Sequence, residues 1–183
     1  MRMKQSVLAA SLAVLAAVPC LAAIKAMTLT ELMGITTEAA HVKITAKSTF
    51  HMDWPMQGAV WTKMHIQGES LRTLEPVDTD VVFMGSQDPA DEWGMSEMPT
   101  LQDTRVGGEA VVFFNGNDKD VPGRLNRVYA LDCVYRVEAT FGTPVVIGKG
   151  EGFAFPENSK LDDVRATVRA THLELAKIQQ AGK

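Results

Sequence analysis

The stretch Arg105-Val-Gly-Gly-Glu-Ala-Val-Val-Phe-Phe114 constrains the fold more than any other part of the chain. Gly107 and Gly108 enter positive φ without a Cβ penalty, and Ala110 to Phe114 is a β-branched and aromatic run that Asn115-Gly116 closes as a turn. It reads as the central strand of a small barrel.

The flanking segments supply partners for such a strand. Met27 to Met33 reads as a short helix: Thr28 stands as cap, Glu31 follows three residues later, and Leu29, Leu32 and Met33 share a face. Val42, Ile44 and Ala46 then alternate with Lys43, Thr45 and Lys47 in a strand running towards Phe50, broken by Pro55 and Gly58. From Ala59 to Leu74 a long or bent strand places Val60, Thr62, Met64 and Ile66 on one side and Trp61, Lys63, His65 and Gln67 on the other. Gly68 is expected to mark a bulge there, and Glu75-Pro76 ends the run. Thr79 to Met84 is a further strand.

Arg127 to Phe141 alternates longest of all, with Tyr129, Leu131, Cys133, Tyr135, Val137, Ala139 and Phe141 on one face. Strand signals return at Val145 to Ile147 and Gly152 to Phe155. A terminal helix follows, with Ser159 as cap, Asp162 three residues on, and a seam of Leu161, Val164, Val168, Leu175 and Ile178. Helix, five to seven strands, helix predicts a mainly β domain, an antiparallel barrel with a short N-terminal and a C-terminal helix. Phe113, Leu131, Tyr135 and Val137 are expected inside it.

The first residues read as a leader rather than structure. Arg2 and Lys4 form a basic region, Val7 to Val18 an apolar one, and Cys20-Leu-Ala-Ala23 a small-residue end, so 1–22 reads as a signal peptide and 23–183 as a single domain. Pro19 before Cys20 favours ordinary cleavage after Ala22 or Ala23 over lipid attachment at Cys20. The mature protein is then periplasmic or secreted, and Cys133, its one remaining cysteine, has no intramolecular disulfide partner. No later stretch approaches the roughly 20 apolar residues of a membrane-spanning helix, which excludes stable membrane insertion. Loss of Arg2 and Lys4 leaves 16 basic against 22 acidic residues, a net charge of −6. Such a surface does not attract nucleic acid.

Chemistry is sparsely signalled. The chain has no Gly-x-Ser-x-Gly elbow, His-Glu-x-x-His, Cys-x-x-Cys or phosphate-cradling glycine loop. Cys133, in phase with Leu131 and Tyr135, reads as a core residue. No catalytic residue and no cofactor is therefore assigned, and the reading leans away from an enzyme. It favours a non-catalytic binding module for an unknown protein or glycan. Ser86 to Thr104, the longest irregular segment, is the expected partner site through Asp91, Glu92, Trp93 and Met95, against the plainer reading of a mobile loop. The alternative function is periplasmic copper handling, because His51, Met52, Met56, Met64 and His65 offer imidazole and thioether ligands suited to Cu(I). Against it, Met64 falls in phase with Val60 and Ile66 as a core filler. Asn115, Asn117, Asp118 and Asp120 lack the spacing of a calcium loop and read as turn residues.

Three motifs together resemble an uncharacterised family of secreted bacterial proteins: Leu29-Thr-Glu-Leu32, Met95-Ser-Glu-Met-Pro99 and Val106-Gly-Gly-Glu-Ala-Val-Val-Phe-Phe114. The resemblance implies an oligonucleotide/oligosaccharide-binding-like (OB-like) barrel, similar also to the netrin-like module of metalloproteinase inhibitors, and an extracytoplasmic location. It implies no activity.

Overall fold

A computed structural model describes residues 26–88, 98–129 and 131–181. The expected leader, 1–22, and its expected cleavage point lie outside them. The elements are α1 (Leu29–Ile35), β1 (Glu38–Met52), β2 (Ala59–Ser70), β3 (Pro76–Met84), β4 (Glu109–Phe114), β5 (Asn126–Arg127), a 3-10 turn (Leu131–Cys133), β6 (Val134–Thr140), β7 (Thr143–Val146), β8 (Ser159–Lys160) and α2 (Leu161–Ala181). The eight strands make one sheet in the order β5-β3-β2-β1-β4-β6-β7-β8, curled into a half-barrel. Neighbours are antiparallel except β3 and β5, which run parallel. Beyond β4, Asn115 bridges to Arg127 with N–H to carbonyl bonds of 2.9 Å in both directions, so the end of β4 also reaches β5.

The glycine-led strand is interior to the sheet, paired with β1 on one edge and β6 on the other. All of Ala110 to Phe114 is buried, because side chains of both parities find apolar cover. Phe113 packs near Tyr135 and Phe155, whose rings meet edge to face 5.0 Å apart. Phe113 and Tyr135 thus lie in the core as expected and Val137 packs partly buried against it; the Leu131 side chain lies outside those described. In α1 the capping box forms: Thr28 Oγ1 accepts from the Glu31 amide at 3.3 Å, and Glu31 Oε2 accepts from the Thr28 amide at 2.9 Å.

Four sequence expectations are corrected. The first concerns β1, whose alternation is interrupted by an extra residue at Thr45: Ile44 pairs with Ile66, but Ala46 pairs with His65. A bulge flips every later side chain to the opposite face. Ala46 is therefore exposed, and Phe50 joins Trp61 instead of continuing the Val42 and Ile44 face. The second correction moves the bulge away from Gly68. That glycine pairs regularly with Val42, and a Cβ there would lie 2.0 Å from the His41 carbonyl oxygen, so its role is close backbone approach.

The third correction splits the long strand at 127–141. The 3-10 turn advances the phase, and Cys133, Val134 and Tyr135 are all buried in succession. Phe141 leaves the apolar face for the β6–β7 turn, with φ of 50° and full exposure. The fourth concerns α2, which begins at Leu161; Ser159 pairs with Val146 in β8 instead of capping. Its seam buries Leu161, Val164 and Val168 and packs Leu175 partly buried against the core, while Ile178 is 66% exposed. No helix among the described residues is long and apolar enough to cross a membrane.

These contacts separate two glycines sharply. Gly68→Ala is expected to lower unfolding stability by about 2 kcal/mol or more. Gly34→Ala, with nothing within 4 Å of a new Cβ, should leave it unchanged or raise it by up to about 1 kcal/mol. Urea denaturation of the two variants measures the contrast, and equal midpoints would refute the close-approach role.

Candidate functional site

The outer face of β2 and β3 is set by register. Trp61, Lys63, His65 and Gln67 stand opposite Met84, Val82, Asp80 and Asp78, all on the side away from Met64, Ile66, Val81 and Phe83 in the main core. One end of this face is apolar and the other is charged.

At the apolar end Trp61 is fully buried although it faces outward, because the β1–β2 turn folds over it. Gly58, at φ of 70°, donates its amide to Asp53 Oδ1 at 2.8 Å, closing the turn. Trp54 then stacks on Trp61 with centroids 5.7 Å apart, and the Trp61 indole donates to the Trp54 carbonyl at 3.1 Å. Phe50, Met52, Met84 and Leu125 complete a second apolar cluster, separate from the main core.

Arg127 crosses the same face from β5. Its guanidinium carbon lies 4.8 Å from the Tyr129 ring centroid and 5.7 Å from that of Trp54, within cation–π range of both. Among the described residues it makes no ion pair, and the half-buried cation rests against these two rings. Tyr129 is fixed in turn: its hydroxyl donates to Asp118 Oδ2 at 3.1 Å and accepts from Asn115 Nδ2 at 2.7 Å. Burial, aided by the Asp118 carboxylate, pushes the phenol above its ordinary value. Asp118 also accepts the Asp120 amide, and the Asn126 side chain accepts the Asn117 amide, so the polar stretch after β4 closes a turn as its sequence implies.

At the charged end His65 lies between two carboxylates, Asp80 at 2.8 Å and Asp78 at 3.1 Å, and Lys63 reaches Asp80 at 3.4 Å. The hydrogen bond from His65, with Lys63 assisting, holds the Asp80 carboxyl below its usual range.

The sequence-derived site residues distribute as follows. Asp91, Glu92, Trp93 and Met95 lie outside the described residues. Of the metal-ligand set, Met64 is fully buried in the main core and His65 points from the opposite face of the same strand. Met52 packs in the second cluster, Met56 is exposed in the turn, and His51 is exposed at the end of β1 on the face opposite Met52. No group of three or more His, Cys, Asp or Glu among the described residues is arranged to hold a metal ion. Comparison with family models, with curated proteins and with solved structures gave no match. Sequence reading missed the Trp54, Arg127 and Tyr129 grouping. Its only local signals are the turn residues Pro55 and Gly58 beside Trp54 and the shared parity of Arg127 and Tyr129.

The Asp80 interactions predict a pH dependence. A depressed carboxyl pKa contributes stability that is present above the unfolded value of about 3.9 and lost as pH falls through the folded one. The stability difference between wild type and Asp80→Asn should therefore be flat near neutrality, within about 1 kcal/mol for so exposed a network, and vanish in strong acid. Thermal melts across pH measure it, and a gap that persists in acid contradicts the assignment.

Proposed function

We propose that the protein is a secreted or periplasmic, non-catalytic binding module on an OB-like barrel, belonging with the secreted bacterial proteins whose motifs it resembles. Support for the OB-like reading comes from the ring of pairings: β1 contacts both β2 and β4, β3 runs parallel to β5, and the end of β4 bridges β5. In OB barrels the face of the second and third strands, framed by the first–second and fourth–fifth strand loops, binds ligands. Here that face carries the Trp54, Arg127 and Tyr129 grouping between the 53–58 and 115–125 connections.

The observation that carries the reading is the Arg127 guanidinium held by two half-buried rings, with no ion pair to a carboxylate among the described residues. Trp, Tyr and Arg dominate the energetics of protein interfaces, and a guanidinium already ordered by stacking loses less entropy on binding. A protein partner presenting a carboxylate fits this surface.

The test is quantitative. Partners captured by the immobilised protein from extracytoplasmic extract are identified and their affinities measured against Arg127→Ala. Truncation should weaken the specific partner by about 30-fold or more, a hot-spot loss near 2 kcal/mol, with little change in melting temperature. Equal affinity for wild type and variant, or displacement of every partner by free glycan, rejects a protein-binding role for this face.

A further inference from the structure

The barrel has a second feature on its inner side. After the bulge, Lys47, Thr49 and His51 of β1 share the face of their partners Met64, Thr62 and Val60. Met64 is core, but beyond it lies an open cavity of about 370 Å³ lined by Lys47, Ser48, Thr49, Thr62, Gln87, Asp88 and Leu101. That volume lies at the lower end of the range for small-molecule sites, and barrel mouths are a common place for them.

Lys47 differs from the cations gathered at the neighbouring Asp103. Lys149 and Arg136 share the buried Asp103 carboxylate at 3.2 and 3.4 Å. The Lys47 ammonium instead contacts only neutral oxygens, Gln87 Oε1 at 2.9 Å and Thr104 Oγ1 at 3.5 Å, and forms no ion pair among the described residues. These neutral partners are themselves fixed. Thr104 donates to Gln87 Oε1 at 2.7 Å, and the Gln87 amide nitrogen donates to the Pro99 carbonyl. The arrangement therefore positions a positive charge without neutralising it, and partial burial lowers the Lys47 pKa accordingly. An ammonium held this way in a concave site is matched by an oxyanion, since charge-assisted hydrogen bonds are about twice as strong as neutral ones. The hydroxyl groups along the cavity add partners for hydroxyls on the ligand.

We propose that this cavity binds a small hydroxylated carboxylate, such as a hexuronate, with Lys47 as its counter-charge and the Thr49 and Thr62 wall facing the hydroxyls. The site is independent of the outer face, because Trp54 and Arg127 lie on the other side of the sheet.

The test uses the folded protein, reductively methylated with isotope-labelled formaldehyde, which keeps the lysine charges and gives each lysine an NMR signal. Sodium glucuronate, glucose and sodium acetate are titrated in turn. Glucuronate should move the Lys47 signal saturably, glucose should not, and acetate should bind at least about tenfold more weakly. By calorimetry, Lys47→Met, which keeps the apolar stem, should lose at least about tenfold in glucuronate affinity. An unmoved Lys47 signal overturns the proposal, as does an equal response to acetate, which marks an adventitious anion only. Glucuronate binding that survives in Lys47→Met overturns it too. If that variant does not fold, the methylated wild-type protein still decides.

Discussion

One extra residue in β1 determines where everything else can go. At Ile44 the pairing with β4 ends: the Ile44 amide donates to the Gly108 carbonyl at 3.0 Å, and the Gly107 amide donates to the Ile44 carbonyl at 2.7 Å. The Gly107-Gly108 turn is thus pinned to the strand where the bulge begins, with Gly107 at φ of 83°. β1 continues to Met52 with β2 alone. Because the bulge exchanges faces, Phe50 and Met52 leave the core and meet Trp61, while Lys47 and Thr49 turn inward at the mouth. The second apolar cluster and the cavity are two consequences of the same inserted residue.

The connection back to β4 is anchored by charge as well as by backbone. Asp103 is only 4% exposed, and the cations from Arg136 and Lys149 converge on it, with Lys149 also 5.1 Å from the Tyr135 ring centroid. Desolvation lowers the Lys149 pKa and the Asp103 carboxylate opposes that shift. Such an arrangement adds little net stability over an apolar one, but it is costly to break on one side, so it fixes position more than it adds energy. What it fixes is the segment that carries Thr104, and through Thr104 the side chain of Gln87 and the reach of Lys47.

Features encoded by neighbouring residues were legible in the sequence. The α1 capping box needs only Thr28 and Glu31, and the burial of β4 follows from five consecutive apolar residues. The β1 phase was not legible, because Thr45 is an ordinary strand residue and its bulge is set by glycines about sixty residues away in the chain, a tertiary choice that overrides local pattern. Alternation at 127–141 misled for a related reason. Where both faces are covered, Val134 can be buried between Cys133 and Tyr135, and parity stops reporting the interior. The outer grouping was equally hidden: Trp54 and Arg127 meet only because the 53–58 turn folds over β2 while β5 aligns with β3.

Arg127 and Lys47, which make no ion pair among the described residues, gain meaning from the charge of the whole chain. With 22 acidic residues against 18 basic ones, counter-charges are not scarce. Lys63 and Lys149 are each placed against a carboxylate. Arg127 and Lys47 are held instead by rings and by neutral oxygens, interactions that order a cation while leaving its charge available. A net negative surface repels an anionic partner at distances up to a Debye length, about 8 Å at physiological salt. Attraction to a half-buried cation acts at contact and is screened less. For the two proposed ligands, approach would therefore be slowed by the general field while recognition would depend on local geometry, which would reward an anion whose shape fits one of these two sites and penalise charge presented elsewhere on the surface.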